Sequence, residues 1–362
     1  MKYTILNNWH KSHGARMIDF AGWEMPVQYT SIREEHNTVR EKAGIFDLSH
    51  MGRIRIRGLD REPFIQHVFT NDISKIPEEG VQYGFLCNPR GGVIDDVTIY
   101  RADDYYMLVV NGCNAEKVLK WLEKEAADYR VDIEDSNLSL VMMAIQGPLA
   151  MELLNEVSNL NLNDLKRYHF TVQQLHRGKA VISRTGYTGE DGCEIYCGSI
   201  YLQPLWEKLL DIGFNRGLRP AGLGARDTLR TEACLPLYGN ELDEETTPIE
   251  AGLKKFVDFE KPDFIGKKAL TLGSNAEFAK RLICFEMEDK SIPRKGHVVA
   301  FKETPIGTVT SGTFSPTLKR GIGMAYVDQV LTNPDTPISI QIRDKFHPAI
   351  IRRRPLYKRR KR

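Results

Sequence analysis

No apolar run among the 362 residues approaches the roughly 18 to 20 that a helix needs to span a bilayer, so no membrane-spanning helix is expected. The chain starts Met1-Lys2-Tyr3 and passes straight into patterned sequence. It shows neither the apolar core of a signal peptide nor an Arg/Ser-rich transit segment, and a cytoplasmic protein is expected. Cysteine is sparse and scattered: Cys87, Cys113, Cys193, Cys197, Cys234 and Cys284 contain no CxxC pair. In a reducing compartment they read as free thiols. Cys193 and Cys197 stand closest, but no His/Cys cluster lies near them at zinc-site spacing, and no metal is expected. His10 and His13 lack a second pair of ligands and read as ordinary surface or interface residues.

The nucleotide and hydrolase signatures are missing as well. Neither GxGxxG after an opening strand nor GxxxxGK[ST] occurs, and FIGKKAL around Gly266 lacks the upstream glycine of a phosphate loop. GxSxG is absent, which leaves a hydrolase elbow without support. There is no internal repeat.

What is present fits a globular protein of two or three domains: 41% hydrophobic and 27% charged residues over a chain too long for one core. The net charge of +2 hides an uneven distribution. The tail RRRPLYKRRKR, Arg352 to Arg362, carries eight Lys/Arg and no acid, leaving 42 basic against 48 acidic side chains in the rest. Such a run can touch nucleic acid, an anionic membrane or an acidic protein; its plainer reading is a solvated terminus. With no other pointer to nucleic acid or membrane, neither is expected as a partner.

Periodicity orders the chain. GRIRIRG, Gly52 to Gly58, alternates like a half-buried strand, and VTIY and YYMLVV flank Arg101 to Asp104 as a hairpin. Asn114 is expected to cap a helix whose apolar positions are Val118, Leu119, Leu122 and Ala126. Further helices are expected near Pro148 to Val157, Leu202 to Phe214 and Leu223 to Ala233. After about residue 275, short runs such as VVAF, GTVTSG and ISIQI indicate a separate small barrel or sandwich.

Two segments carry possible chemistry. GGVIDDV, Gly91 to Val97, plants adjacent carboxylates on a strand after a turn. Successive strand side chains face opposite ways, so Asp95 and Asp96 cannot share a proton as a dyad. Either one of them faces a site, or both are a solvated turn-flanking pair. In SRTGYTGEDGCEIY, Ser183 to Tyr196, glycines allow close backbone approach, Tyr187 offers an aromatic face, and Glu194 and Tyr196 project from one side of a strand. A carboxylate there can accept paired hydrogen bonds from a ring N–H and an exocyclic amine, the donor pattern of a pterin. A glycine-rich hairpin with an exposed Glu is the alternative. Arg226 and Arg230, one turn apart, can bind an anion or pair with Asp227 or Glu232.

Several segments together carry a more specific signal: GARMIDFAGWEMPVQYTSI (Gly14 to Ile32), GIFDLSHMG (Gly44 to Gly52), TND (Thr70 to Asp72), CNPRGGVIDDV (Cys87 to Val97), QGP (Gln146 to Pro148), RTGYTGEDGCE (Arg184 to Glu194), RPAGLGARDTLR (Arg219 to Arg230), FIGKKAL (Phe264 to Leu270) and GTVTSGTFSPTL (Gly307 to Leu318). In this order and spacing, over nearly the whole chain, they resemble the aminomethyltransferases, the T proteins of the glycine cleavage system. The resemblance implies an α+β, three-domain cloverleaf around a folate channel. A first domain would comprise 1–50 and 139–245 and a second 51–138, with a connecting segment 246–274 and a C-terminal β-barrel with basic tail over 275–362. It also implies transfer of the methylene carbon of an aminomethyl group from the lipoyl arm of H protein to tetrahydrofolate, a co-substrate, with release of ammonia and without a metal. Asp96 would be the catalytic aspartate and Glu194 the pterin-holding carboxylate. Met51, Tyr83, Asn111, Tyr187 and Arg226 would line the pocket, and Arg294 would lie near the folate tail. A monomer is expected.

Two other readings share the fold. One is a folate-dependent demethylase; the other is a non-enzymatic folate-binding protein of iron–sulfur assembly. Relatives of the latter kind bear a KGCxxGQE-like motif, where this chain has KPDFIGKKAL. The tail is more basic than is usual for the family and has Pro355-Leu356-Tyr357 in place of the commoner Pro-Phe-Tyr; it is read as an aid to docking an acidic H protein. The adjacent carboxylates give a contrast: Asp95→Asn should cost mainly stability, measured by thermal unfolding, whereas Asp96→Asn should lose most turnover at unchanged stability. Equal effects on the two measurements would remove the distinction.

Overall fold

The computed structural model describes residues 1–275, 280–328 and 332–359, and its contacts divide the chain into two compact units. The first comprises Met1–Val68, Asp72–Gly84 and Val97–Arg226; the second comprises Phe69–Asn71, Phe85–Asp96 and the chain from Asp227 onward. Helices and sheets are mixed throughout, and a closed barrel follows in the C-terminal part.

A six-stranded sheet forms the heart of the first unit, in the order Phe170–Leu175, Gly178–Ser183, Gly192–Gly198, Leu140–Gln146, Ala43–Asp47, Leu218–Pro220. Leu140–Gln146 reads LVMMAIQ and is buried throughout, as a strand paired on both sides and covered on both faces must be. Parity then divides its neighbour. Cys193, Ile195 and Cys197 join the core against Leu153, Leu202 and Trp206 of the helices Ala150–Ser158 and Ser199–Gly213, which leaves Glu194 and Tyr196 on the other face. A five-stranded sheet runs Val81–Cys87, Val93–Arg101, Tyr106–Val110, Gly52–Gly58, Val131–Asp135. It contains the expected hairpin, with Thr98 opposite Val109. The helix after it is Ala115–Glu125 with Val118 and Leu122 buried; Asn114 stands at its N-cap without a side-chain capping bond, because its backbone is already helical.

In the second unit six strands close a barrel: Lys280–Met287, Arg320–Asp328, Thr304–Ser315, Val298–Phe301, Pro337–Ile342, Lys345–Arg352. Closure leaves no unpaired edge. Ahead of it lies the turn that launches the Asp95–Asp96 strand. The Asn88 Oδ1 accepts N–H groups of Arg90 and Gly92 at 2.9 and 3.1 Å, while its Nδ2 donates to the Glu244 carbonyl at 2.9 Å. Glycine is obligatory at 92, since a Cβ there would sit 1.8 Å from the Glu244 oxygen.

Three further expectations need correction. His10 is fully buried, not a surface residue: its Nε2 lies 3.0 Å from Asp47 Oδ2 and its Nδ1 2.8 Å from the Tyr29 hydroxyl. Asp95 is 0% exposed, so it is no solvated turn residue. The start of the basic tail is built in: Arg354 donates to the carbonyls of Ala251 (2.9 Å) and Leu282, and Tyr357 N–H to that of Glu232 (2.9 Å). Tail residues 360–362 lie outside the described residues.

Burial raises the Asp47 carboxyl, but the bond to His10, its charge and the Ser49 N–H outweigh that and hold it below its ordinary value. A depressed carboxyl stabilises the fold above its unfolded value, about 3.9, and the benefit fades as pH falls through the folded value. Asp47→Asn should therefore lose about 2 to 3 kcal/mol in urea unfolding at pH 7, with the deficit narrowing below about pH 4. A deficit independent of pH would refute the assignment.

Candidate active site

The face of the central sheet opposite the helices carries a buried carboxylate. Glu194 is 9% exposed and pairs in register with the small residues Ala144 on one side and Ser183 on the other. Thr185 Oγ1 donates to Glu194 Oε2 at 2.5 Å, and the Tyr196 hydroxyl reaches the same oxygen at 3.5 Å. Tyr100 backs the group, its hydroxyl 2.8 Å from that of Tyr196. Oε1 takes no hydrogen bond from the described residues. Burial raises the Glu194 carboxyl above its ordinary value; Thr185, the Arg226 charge and Tyr196 work against that without overcoming it. The exposed hairpin Glu considered from sequence is thus excluded.

Arg226 comes from the helix Leu223–Glu232 and stacks its guanidinium on the Tyr187 ring, 4.6 Å from the centroid. Gly186, beside Tyr187, leaves room for Gln146, whose Oε1 a Cβ would approach to 2.0 Å. Gln146 in turn accepts the Thr188 hydroxyl at 2.9 Å and donates to the Thr185 carbonyl at 3.1 Å. One side-chain amide thereby fixes the loop carrying Tyr187 and Thr185. Arg230, by contrast, is committed: it bonds Asp227 at 2.8 Å, Glu241 at 2.9 Å and Ser311 at 2.8 Å.

Met51 and Asn111 leave adjacent strands at the same end, since Gly52 pairs with Val110. The turn ahead of Gly52 is held by a buried cation. Arg53 is 0% exposed and donates to the carbonyls of Leu140 (2.8 Å), Ser49 (3.0 Å), Asn137 (2.9 Å) and Met51. Burial lowers its pKa to about 10, which still leaves it charged at neutral pH. Tyr83 lies on Val81–Cys87, half-buried, in the same unit. Asp96 and Arg294 belong to the second unit. Asp96 is partly exposed where Asp95 is buried, as strand alternation requires. Arg294 is exposed, its guanidinium 3.2 Å from the Gly312 carbonyl. Sequence reasoning missed Thr185, Gln146, Arg53 and His50, although each lies within or beside a quoted motif. An open cleft lined by Trp9, His13, Tyr29, Phe214 and Arg219 contains none of the expected site residues. Among the described residues no His/Cys/Asp/Glu group is arranged to hold a metal ion, and no helix is long and apolar enough to cross a membrane.

An α+β frame with a terminal barrel thus carries a glycine-cut loop, a buried carboxylate and a stacked arginine, and its sequence matches the transferase domains of the glycine cleavage class. Residues 6–261 match the GCVT N-terminal domain, and 280–358 match the glycine cleavage T-protein C-terminal barrel domain. An aminomethyltransferase of Caldanaerobacter subterraneus subsp. tengcongensis is 47% identical over 99% of this chain and 96% of its own. One from Geobacillus sp. (strain WCH70) is 46% identical over 100% of both chains. The crystal structure of glycine cleavage system aminomethyltransferase T from Bartonella henselae superimposes with a TM-score of 0.93 at 32% identity, covering 99% of each chain. The chain belongs to the aminomethyltransferase, or glycine cleavage T-protein, family, and is an enzyme of one-carbon transfer in glycine catabolism.

A carboxyl whose folded pKa is raised holds a proton that the unfolded chain has already released, so stability falls as pH rises through that window and stays lower above it. Removing the buried charge should reverse this. Glu194→Gln is expected to be more stable than the parent at pH 7 by on the order of 1 kcal/mol, with the gap closing below about pH 4. A variant that unfolds more easily at pH 7 would contradict the account.

Proposed function

We propose that this protein transfers the methylene carbon of an aminomethyl group, carried on the lipoyl arm of H protein, to tetrahydrofolate. The products are 5,10-methylenetetrahydrofolate, ammonia and the dihydrolipoyl arm. The observation that carries the reading is the buried Glu194 carboxylate, one oxygen held by Thr185 and the other without a hydrogen bond from the described residues. A buried acceptor pair suits the adjacent N–H and amine donors of a pterin, and discriminates against rings that lack them. Tyr187, braced by Arg226, supplies a flat aromatic surface beside it.

The chemistry requires the two folate nitrogens to replace sulfur and nitrogen on one carbon. A folate nitrogen attacks the methylene carbon, ammonia and the dihydrolipoyl thiol depart, and positive charge develops along the way. In this reading Asp96 orients the reacting nitrogens and stabilises that charge, which a fixed carboxylate does best where water is scarce. Met51, Tyr83 and Asn111 line the pocket, and Arg294 meets the carboxylates of the folate tail. The reading includes a division into 1–50 with 139–245, 51–138 and 275–362 around a folate channel.

Mixing the protein with tetrahydrofolate and aminomethyl-loaded H protein should release ammonia. Glu194→Ala should weaken tetrahydrofolate binding by at least tenfold in calorimetry, the loss of a charge-assisted pair. Unchanged affinity would remove the pterin clamp; no ammonia release from the unaltered protein would remove the reaction.

A further inference from the structure

The turn that Arg53 pins is tied to Met142, the strand partner of Tyr196, by the Leu48 N–H (3.0 Å) and the Ser49 hydroxyl (3.1 Å), and it carries one more buried side chain that no described residue hydrogen-bonds. His50 is 4% exposed, and its Nδ1 is buried without a hydrogen-bond partner. No group among the described residues takes up its Nε2 either. The ring is nonetheless fixed. Phe20 meets it edge-on at 5.6 Å, and Gly112 lies so close that a Cβ there would come within 3.2 Å of Cδ2.

Burial and then the Arg226 charge push the His50 imidazole down to about 3; Asp47 pulls the other way, and Arg53 adds a smaller push. The imidazole is neutral at any physiological pH, with one N–H and one lone pair. An orphaned buried N–H is rarer and costlier than an orphaned lone pair, so the proton belongs on Nε2 and the lone pair on the enclosed Nδ1. His50 thus offers a neutral donor close enough to Arg226 to feel its charge, and Arg226 acts on Glu194 too.

We propose that His50 is a ligand-binding residue of this site, its Nε2–H donating to the ring carbonyl oxygen of the bound pterin. The inference rests on the folate reading above. Along its pyrimidine edge a pterin presents an amine donor, a ring N–H donor and a carbonyl acceptor in succession. Glu194 complements the first two, and the third needs a donor. A neutral imidazole supplies it without a further cation beside Arg226, and it sets a specificity, because a 4-amino pterin would confront the Nε2–H with another donor.

Calorimetry with tetrahydrofolate and its 4-amino counterpart tests this. His50→Leu should weaken tetrahydrofolate about tenfold while leaving the 4-amino compound unweakened, and His50→Gln, which keeps a donor at similar reach, should stay within about threefold of the parent. Equal losses for both ligands, or none for either, overturn the role of His50 alone. Failure of the unaltered protein to bind tetrahydrofolate overturns the folate reading with it. Should the Leu variant not fold, ¹⁵N-histidine spectra of the unaltered protein decide. They should show the Nε2–H tautomer and a shift of that resonance when tetrahydrofolate is added; an Nδ1–H tautomer or an unmoved signal overturns the proposal.

Discussion

Withdrawing a carboxylate from water is the constraint on which the site depends. An ionised Glu in an apolar interior is tolerated only where its lost hydration is partly replaced. Here the replacement comes from the Thr185 and Tyr196 hydroxyls and from the field of Arg226. Each of these has its own support. Gln146 fixes the loop that carries Thr185, Tyr100 backs Tyr196, and Tyr187 lies under Arg226. The residual penalty is left standing as a raised pKa.

A second buried charge is handled in the opposite way. Arg53 is surrounded by carbonyl oxygens instead of a counter-ion, so its guanidinium organises backbone, holding the turn from Ser49 to Met51 to the strand that begins at Leu140. In the second unit a side-chain amide does comparable work at Asn88, satisfying the turn ahead of Asp96 and tying it to Glu244. In both places the chain is fixed by hydrogen bonds from one side chain to main chain.

Much of this was legible in the order of the residues, and the exceptions share a cause. Strand parity separated Asp95 from Asp96 and put Glu194 with Tyr196 because period two is a local property. GRIRIRG gave its strand from Gly52 to Gly58 for the same reason, and the Gly/Pro punctuation after residue 275 corresponds to the closed barrel. His10 was misjudged because its partner Asp47 is 37 positions away, and the tail because Arg354 finds the Ala251 carbonyl 103 positions back. Burial created by such distant pairing leaves no periodic trace. Asn114 failed as a capping side chain for a local reason: its backbone already has helical dihedrals, while a capping side chain needs an extended one.

The distribution of thiols has a practical side. Cys87, Cys193, Cys197, Cys234 and Cys284 are buried, and Cys113 alone is exposed, two positions beyond Asn111 in the bend that leads into the helix Ala115–Glu125. Burial pushes the enclosed Cys193 and Cys197 thiols up to about 12, far from the reactive thiolate form at neutral pH. A thiol-selective dye applied to the native protein therefore has one address. The chain carries its own single-site reporter two positions from Asn111, available without engineering a cysteine in or out.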